Sequence, residues 1–219
     1  MVESLRKFIR NQNRRSSVET ELEIRFGQME ESSWVRLLGS LELFTKWTKV
    51  HEWKESTDFF YYAENLGNVR TTRTTDENGK LVIYHLKKQK LEDLQLILNN
   101  CRIFDHAKLT LSTEETIADE NLPDGGADTT MVRIKHRKTF IWNDWIFDIT
   151  KSWGAPTFSE ALKKKDANKN TSFEFEIEMI NPTKVFAKSD YTNEFITACI
   201  ILRIVGIVPE QSCTIKTHS

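Results

Sequence analysis

Two stretches of this chain put carboxylates on alternate residues. Glu19, Glu21 and Glu23 lead to Arg25 in ETELEIRF, and Glu174, Glu176 and Glu178 alternate through FEFEIEM. A third stretch, RIKHR, repeats the pattern with cations at Arg133, Lys135 and Arg137. In extended backbone, alternate residues share a face and stand about 6–7 Å apart, so each row sets like charges against one another. On an open surface, water and salt screen that repulsion and the rows carry no chemistry. If the rows face an enclosed interior, they need partners. Clustered carboxylates hold a hard divalent cation such as Mg2+ or Mn2+ rather than zinc, and clustered Arg and Lys hold an anion. A cation shared between carboxylates and a phosphate, with basic groups on the other phosphate oxygens, is the electrostatic solution for phosphoryl transfer.

Strands must position these rows. In ETELEIRF, Leu22, Ile24 and Phe26 take the face opposite the charges, and Gly27 ends the segment. Similar patterns predict strands near Asp58–Tyr62, Gly67–Thr74, Leu81–Lys90, Ala107–Glu114, Met131–Trp142, Trp145–Lys151 and Phe173–Met179. Asp76-Glu77-Asn78-Gly79 reads as a hairpin turn. Asn121–Asp128 and the charged Lys163–Asn170 read as loops. A helix is expected from about Trp34 to Phe44, capped by Ser32 or Ser33, and another from Ser189 to Val205. Many strands and few helices predict a mainly β domain closed into a barrel. The six tryptophans (34, 47, 53, 142, 145 and 153) suit packing of the barrel against its helices better than base stacking.

The chain of 219 residues is long enough for one domain with a real core. Residues 18–208 are assigned to that domain, 1–17 to an N-terminal arm or helix and 209–219 to a tail. Lys and Arg total 31 against 32 Asp and Glu, which does not suggest a general nucleic-acid binder with one large basic face, so any positive charge for a polyanion must be concentrated locally. Cys101, Cys199 and Cys213 have no metal-ligand spacing and fit a reducing, intracellular setting. No apolar run approaches the roughly 20 residues of a membrane span, and MVESLRKFIRNQNRR lacks the apolar core of a signal peptide.

ELEIRFG at Glu21–Gly27 and EFEIE at Glu174–Glu178 resemble the two glutamate motifs of the triphosphate tunnel metalloenzymes. The closer resemblance is to the metal-dependent mRNA-capping RNA 5′-triphosphatases of fungi, protozoa and large DNA viruses. It covers most of the chain and implies an eight-stranded antiparallel β-barrel enclosing a hydrophilic tunnel, with a few flanking helices. Position by position, it implies Glu21, Glu23 and Glu178 as metal ligands and Glu176 beside the attacking water. Glu174 and Asp148 become tunnel carboxylates, and Glu114 a brace for the basic groups. Arg70, Lys88, Arg133, Lys135 and Arg137 become phosphate-binding residues, with Lys87 and Lys90 as rivals to Lys88. One position departs from the pattern: Ile146 stands where that branch carries an arginine.

The resemblance implies removal of the γ-phosphate from the 5′-triphosphate end of nascent RNA with Mg2+ or Mn2+. An RNA guanylyltransferase would be a partner, the protein would be a monomer or homodimer, and the setting would be nuclear in a eukaryote or viral/cytoplasmic otherwise. A tunnel hydrolase for tripolyphosphate or a nucleoside triphosphate, and a non-catalytic barrel holding polyphosphate or an RNA end, remain alternatives on the same residues.

Overall fold

Period-two alternation does produce strands, and they close on themselves. In the computed structural model, residues 19–26, 29–97, 106–118 and 129–180 are described. The expected Asn121–Asp128 loop, the Ser189–Val205 helix, the N-terminal arm and the tail lie outside them. The strands are β1 (Glu19–Phe26), β2 (Lys49–Ala63), β3 (Gly67–Thr75), β4 (Leu81–Ile97), β5 (His106–Ile117), β6 (Thr129–Trp142), β7 (Trp145–Ala155) and β8 (Ser172–Met179). They form a closed barrel in the order β1-β5-β4-β3-β2-β6-β7-β8. Every neighbouring pair is antiparallel.

Several strands outrun their sequence patterns. β2 begins at Lys49 rather than Asp58, because its first half is largely solvent-exposed and so lacks a clean apolar face. β4 continues to Ile97 through a bulge between Lys90 and Glu92, which resets the alternation. The expected hairpin turn forms. The Asp76 carboxylate accepts from the backbone N–H groups of Asn78 and Lys80, each at 2.9 Å, and Gly79 takes φ 78°, which costs glycine little.

The apolar faces point outward. Leu22, Ile24 and Phe26 of β1, Leu109 and Leu111 of β5, Phe147 and Ile149 of β7, and Phe173, Phe175 and Ile177 of β8 form one core. Helix α1 (Glu31–Leu43) closes it from outside with Trp34, Leu37 and Leu41. A second cluster, Val132, Ile134, Trp153 and Ala155, is closed by Ala161 of helix α2 (Phe158–Asp166). All six tryptophans pack in or against these two clusters. With hydrophobic burial assigned to the outside, the polar faces are left to line the interior.

Two helix expectations need correction. α1 starts at Glu31, after an N-cap Glu30 that makes no side-chain capping bond, so Ser32 and Ser33 lie inside its first turn. Lys163–Asn170 is not all loop, because its first part is the end of α2. Thr157 caps that helix by accepting from the Glu160 backbone N–H. Lys163, Lys164 and Lys165 occupy its last turn, where the helix dipole favours cations. The Thr157-x-x-Glu160 capping box was present in the sequence, but the helix buries one residue only and has almost no apolar stripe.

Phe175 is fully buried and its ring lies 5.1 Å from that of Phe26. Phe175→Ala is expected to lower unfolding free energy by about 3–5 kcal/mol, read from urea denaturation, while the neighbouring lumen-facing residues keep their pairings.

Candidate functional site

Register alone brings the two glutamate rows together. β1 and β8 are neighbours, with Glu23 directly opposite Glu178 and Arg25 opposite Glu176. β7 lies on the other side of β8 and sets Asp148 opposite Glu176 and Thr150 opposite Glu174. From β4, Lys88 reaches across to pair with Glu21, with Glu23 at 3.1 Å and with Glu114 at 3.8 Å. Arg70 of β3 approaches Glu114 at 3.5 Å, and Ser112 donates to Glu21 at 3.1 Å.

The basic row of β6 forms the facing wall. Arg137 donates to Asp148 at 2.6 Å, to Glu176 at 3.0 Å and to Thr150 at 3.0 Å. Lys135 pairs with the fully buried Asp58 at 2.8 Å. Arg133 reaches the same carboxylate at 3.1 Å and Glu174 at 3.7 Å. Thr72 donates to Asp58 at 2.8 Å and Ser152 to Glu174 at 2.6 Å. The interior is therefore a charge network in which most groups hold a partner of opposite sign.

Local charge sets the ionisation of each group. Burial alone would raise the Glu176 carboxyl, but Arg137 and Arg25 overcome it and hold its pKa at about 2. Burial pushes Lys135 down to about 8, helped by Arg137 and opposed by Asp58. Glu23 is raised by burial and by the charge on Glu176, against Arg25 and Lys88. Glu178 is raised to about 8, by burial and then by Glu21 and Asp148. Among the described residues, nothing donates to or pairs with its carboxylate.

The donor set, all carboxylates, fits a hard divalent cation in its chemistry. Glu23 and Glu178 are directly opposite on paired strands, with Glu21 two residues along β1, and the Glu178 carboxyl is raised first by its burial and then by the surrounding carboxylates. Among the described residues, no three such groups converge as a closed cage. Glu21 and Glu23 are turned toward the Lys88 ammonium, so metal binding requires those side chains to rotate off it.

The family described as mRNA capping enzyme, beta chain, matches residues 3–195. The chain belongs to this family. Its barrel is similar to the S. pombe Pct1 RNA triphosphatase, with a TM-score of 0.70 at 16% identity over 96% of this chain and 93% of that one. It is similar also to the Mimivirus capping enzyme triphosphatase, with a TM-score of 0.62 at 13% identity over 93% of this chain and 96% of that one. No curated protein matches the sequence directly.

In this capping-family barrel, all twelve residues singled out from the sequence lie on the interior face. Of the three rival lysines, Lys88 makes the glutamate contacts, while Lys90 pairs with Asp93 at 2.8 Å and Lys87 falls on the opposite face of β4 from Lys88. Two charged interior residues were given no site role by the sequence. Asp58 anchors both Arg133 and Lys135, but a lone aspartate before FFYY shows no charge pattern. Arg25 stands at the end of the first glutamate row and bonds Glu23 and Glu176, each at 2.8 Å. Ile146 faces Glu178 across the β7–β8 pairing, so the departure from the family pattern falls beside a carboxylate that no cation among the described residues pairs with.

Asp58→Ala leaves two buried cations without their carboxylate and is expected to cost about 3–5 kcal/mol in chemical denaturation. The Lys135 ammonium, destabilised by burial, gains from a bound anion. Binding of tripolyphosphate should therefore take up a proton and weaken as pH rises through about 8. Lys135→Arg, which stays charged, should flatten that profile in calorimetric titrations.

Proposed function

We propose that this protein is a divalent-cation-dependent RNA 5′-triphosphatase that removes the γ-phosphate from the triphosphate end of RNA in the first step of capping. The observation that carries the reading is the pairing of Glu23 with Glu178 across β1 and β8, facing the basic wall of Arg133, Lys135 and Arg137. Membership of the capping family supports the same reading.

Glu21, Glu23 and Glu178 would hold Mg2+ or Mn2+, which supplies charge neutralisation at the γ-phosphate when bound. Arg70, Lys88, Arg133, Lys135 and Arg137 bind the phosphate oxygens and meet the charge that spreads over them as the bond to phosphorus breaks. Glu176, kept ionised by Arg137 and Arg25, accepts a hydrogen bond from the attacking water, with Asp148 beside it. Its low pKa makes it a weak base, so its contribution is orientation rather than proton removal. Glu174 and Glu114 hold Arg133 and Arg70 in place. The products are a 5′-diphosphate RNA end, the substrate form for a guanylyltransferase partner, and inorganic phosphate.

Glu21→Ala, Glu23→Ala and Glu178→Ala should each reduce phosphate release from triphosphate-ended RNA by at least about a hundredfold. Glu31→Ala, on the exposed start of α1, should leave it unchanged. The assay is run with Mg2+ or Mn2+ on RNA, ATP and tripolyphosphate side by side. Preference for tripolyphosphate or ATP would replace the RNA assignment, and binding of all three without turnover would remove the hydrolase.

A further inference from the structure

The phosphate-binding residues leave open what holds the nucleoside that follows the triphosphate. Near its C-terminal end, β2 presents Asp58, Phe60 and Tyr62 on one face. Asp58 is the buried anchor of Arg133, and the Arg133 guanidinium lies 5.5 Å from the Phe60 ring centroid. Both residues therefore look into the barrel. Phe59 packs outside against the second core, and Tyr61 accepts from Thr71 on that outer face. Tyr62 thus follows Phe60 on the interior face, and it is 61% exposed. Phe60 is directly opposite Arg70 on β3.

Two further features mark this corner. The Nε atoms of Arg70 and Arg133 are buried without a hydrogen-bond partner among the described residues. The β2–β6 ladder is irregular here: Thr130 is left over between the Phe60–Met131 and Tyr61–Thr129 pairs and donates to the Phe60 carbonyl at 3.0 Å. Bulges of this kind re-aim side chains beside binding sites. A wet aromatic next to guanidiniums with donors to spare suits a ligand that is anionic at one end and planar at the next.

We propose that Phe60 and Tyr62 form a stacking platform at this mouth for the first nucleobase of the triphosphate-ended RNA, with Arg70 and Arg133 gripping the adjoining phosphate. The inference rests on the triphosphatase reading for the substrate but concerns the base, which tripolyphosphate lacks. Stacking on an aromatic face tolerates any base, as a capping substrate requires. A rival aromatic, Tyr84 of β4, lies level with Asp58 across β3, since Thr72 is opposite both. Tyr84 faces Thr72 rather than an arginine.

The test measures binding apart from turnover. Wild type, Tyr62→Ala, Tyr62→Phe and Tyr84→Ala are titrated with a short RNA bearing a hydrolysis-resistant β,γ-imidotriphosphate 5′ end, and with the same triphosphate analogue lacking a nucleoside. Tyr62→Ala should weaken the RNA about tenfold and leave the base-free analogue within about twofold, while Tyr62→Phe and Tyr84→Ala should match wild type. Equal losses for both ligands, no loss for RNA, or a loss on Tyr84→Ala instead would overturn the platform. A wild type that hydrolyses nothing yet shows the Tyr62 difference would sink the hydrolase and keep the platform.

Discussion

The constraint on which this structure depends is charge neutrality inside a closed sheet. Carboxylates and cations taken out of bulk water lose solvation worth several kcal/mol each and regain it only through close partners. Here the partners come from different strands. Asp58 on β2 holds Lys135 and Arg133 of β6. Glu176 on β8 holds Arg137 of β6 and Arg25 of β1. Lys88 on β4 holds Glu21 and Glu23 of β1. Each pairing crosses the interior or spans neighbouring strands, so the barrel cannot slip in register without stranding charges. A one-residue slip would also send every glutamate row to the apolar side.

This constraint explains why the hydrophobic cores lie outside. An interior largely filled with paired charge leaves most leucine and phenylalanine to be buried elsewhere. The apolar faces of β1, β5, β7 and β8 therefore need a cover, and α1 supplies Trp34, Leu37 and Leu41 for it. α2 does the same on a smaller scale for β6 and β7 through Ala161. The helices flank the barrel because its strands have inverted the usual assignment of faces.

What the sequence made legible follows from the same logic. Strict alternation of charge, as in Glu21 and Glu23, Glu174 to Glu178 and Arg133 to Arg137, is a local signal, and all of it mapped to the interior. Asp58 was invisible because its importance comes from two residues on another strand, and spacing along β2 carries no trace of them. The choice among Lys87, Lys88 and Lys90 needed the β4–β5 register, which sets Lys88 opposite Glu114. The full length of β2 was hidden because half of it is exposed on both faces, and α2 because it buries so little.

The network is also uneven, and the unevenness has a direction. Asp148 and Glu176 are held at short range by Arg137, which fixes them as rigid acceptors. Glu178 sits one pleat away with an isoleucine across from it and its pKa driven up to about 8. An arginine at Ile146 would have met that carboxyl, as Lys88 and Arg25 meet the first glutamate row. With isoleucine there, no cation among the described residues pairs with Glu178, while the Nε atoms of Arg70 and Arg133 have no hydrogen-bond partner on the basic side. An interior built only for stability would have spent those donors on that carboxylate. Keeping them apart costs folding energy and leaves an unpaired carboxyl and spare guanidinium donors in one interior, which is the electrostatic condition for taking in a cation and a polyphosphate together.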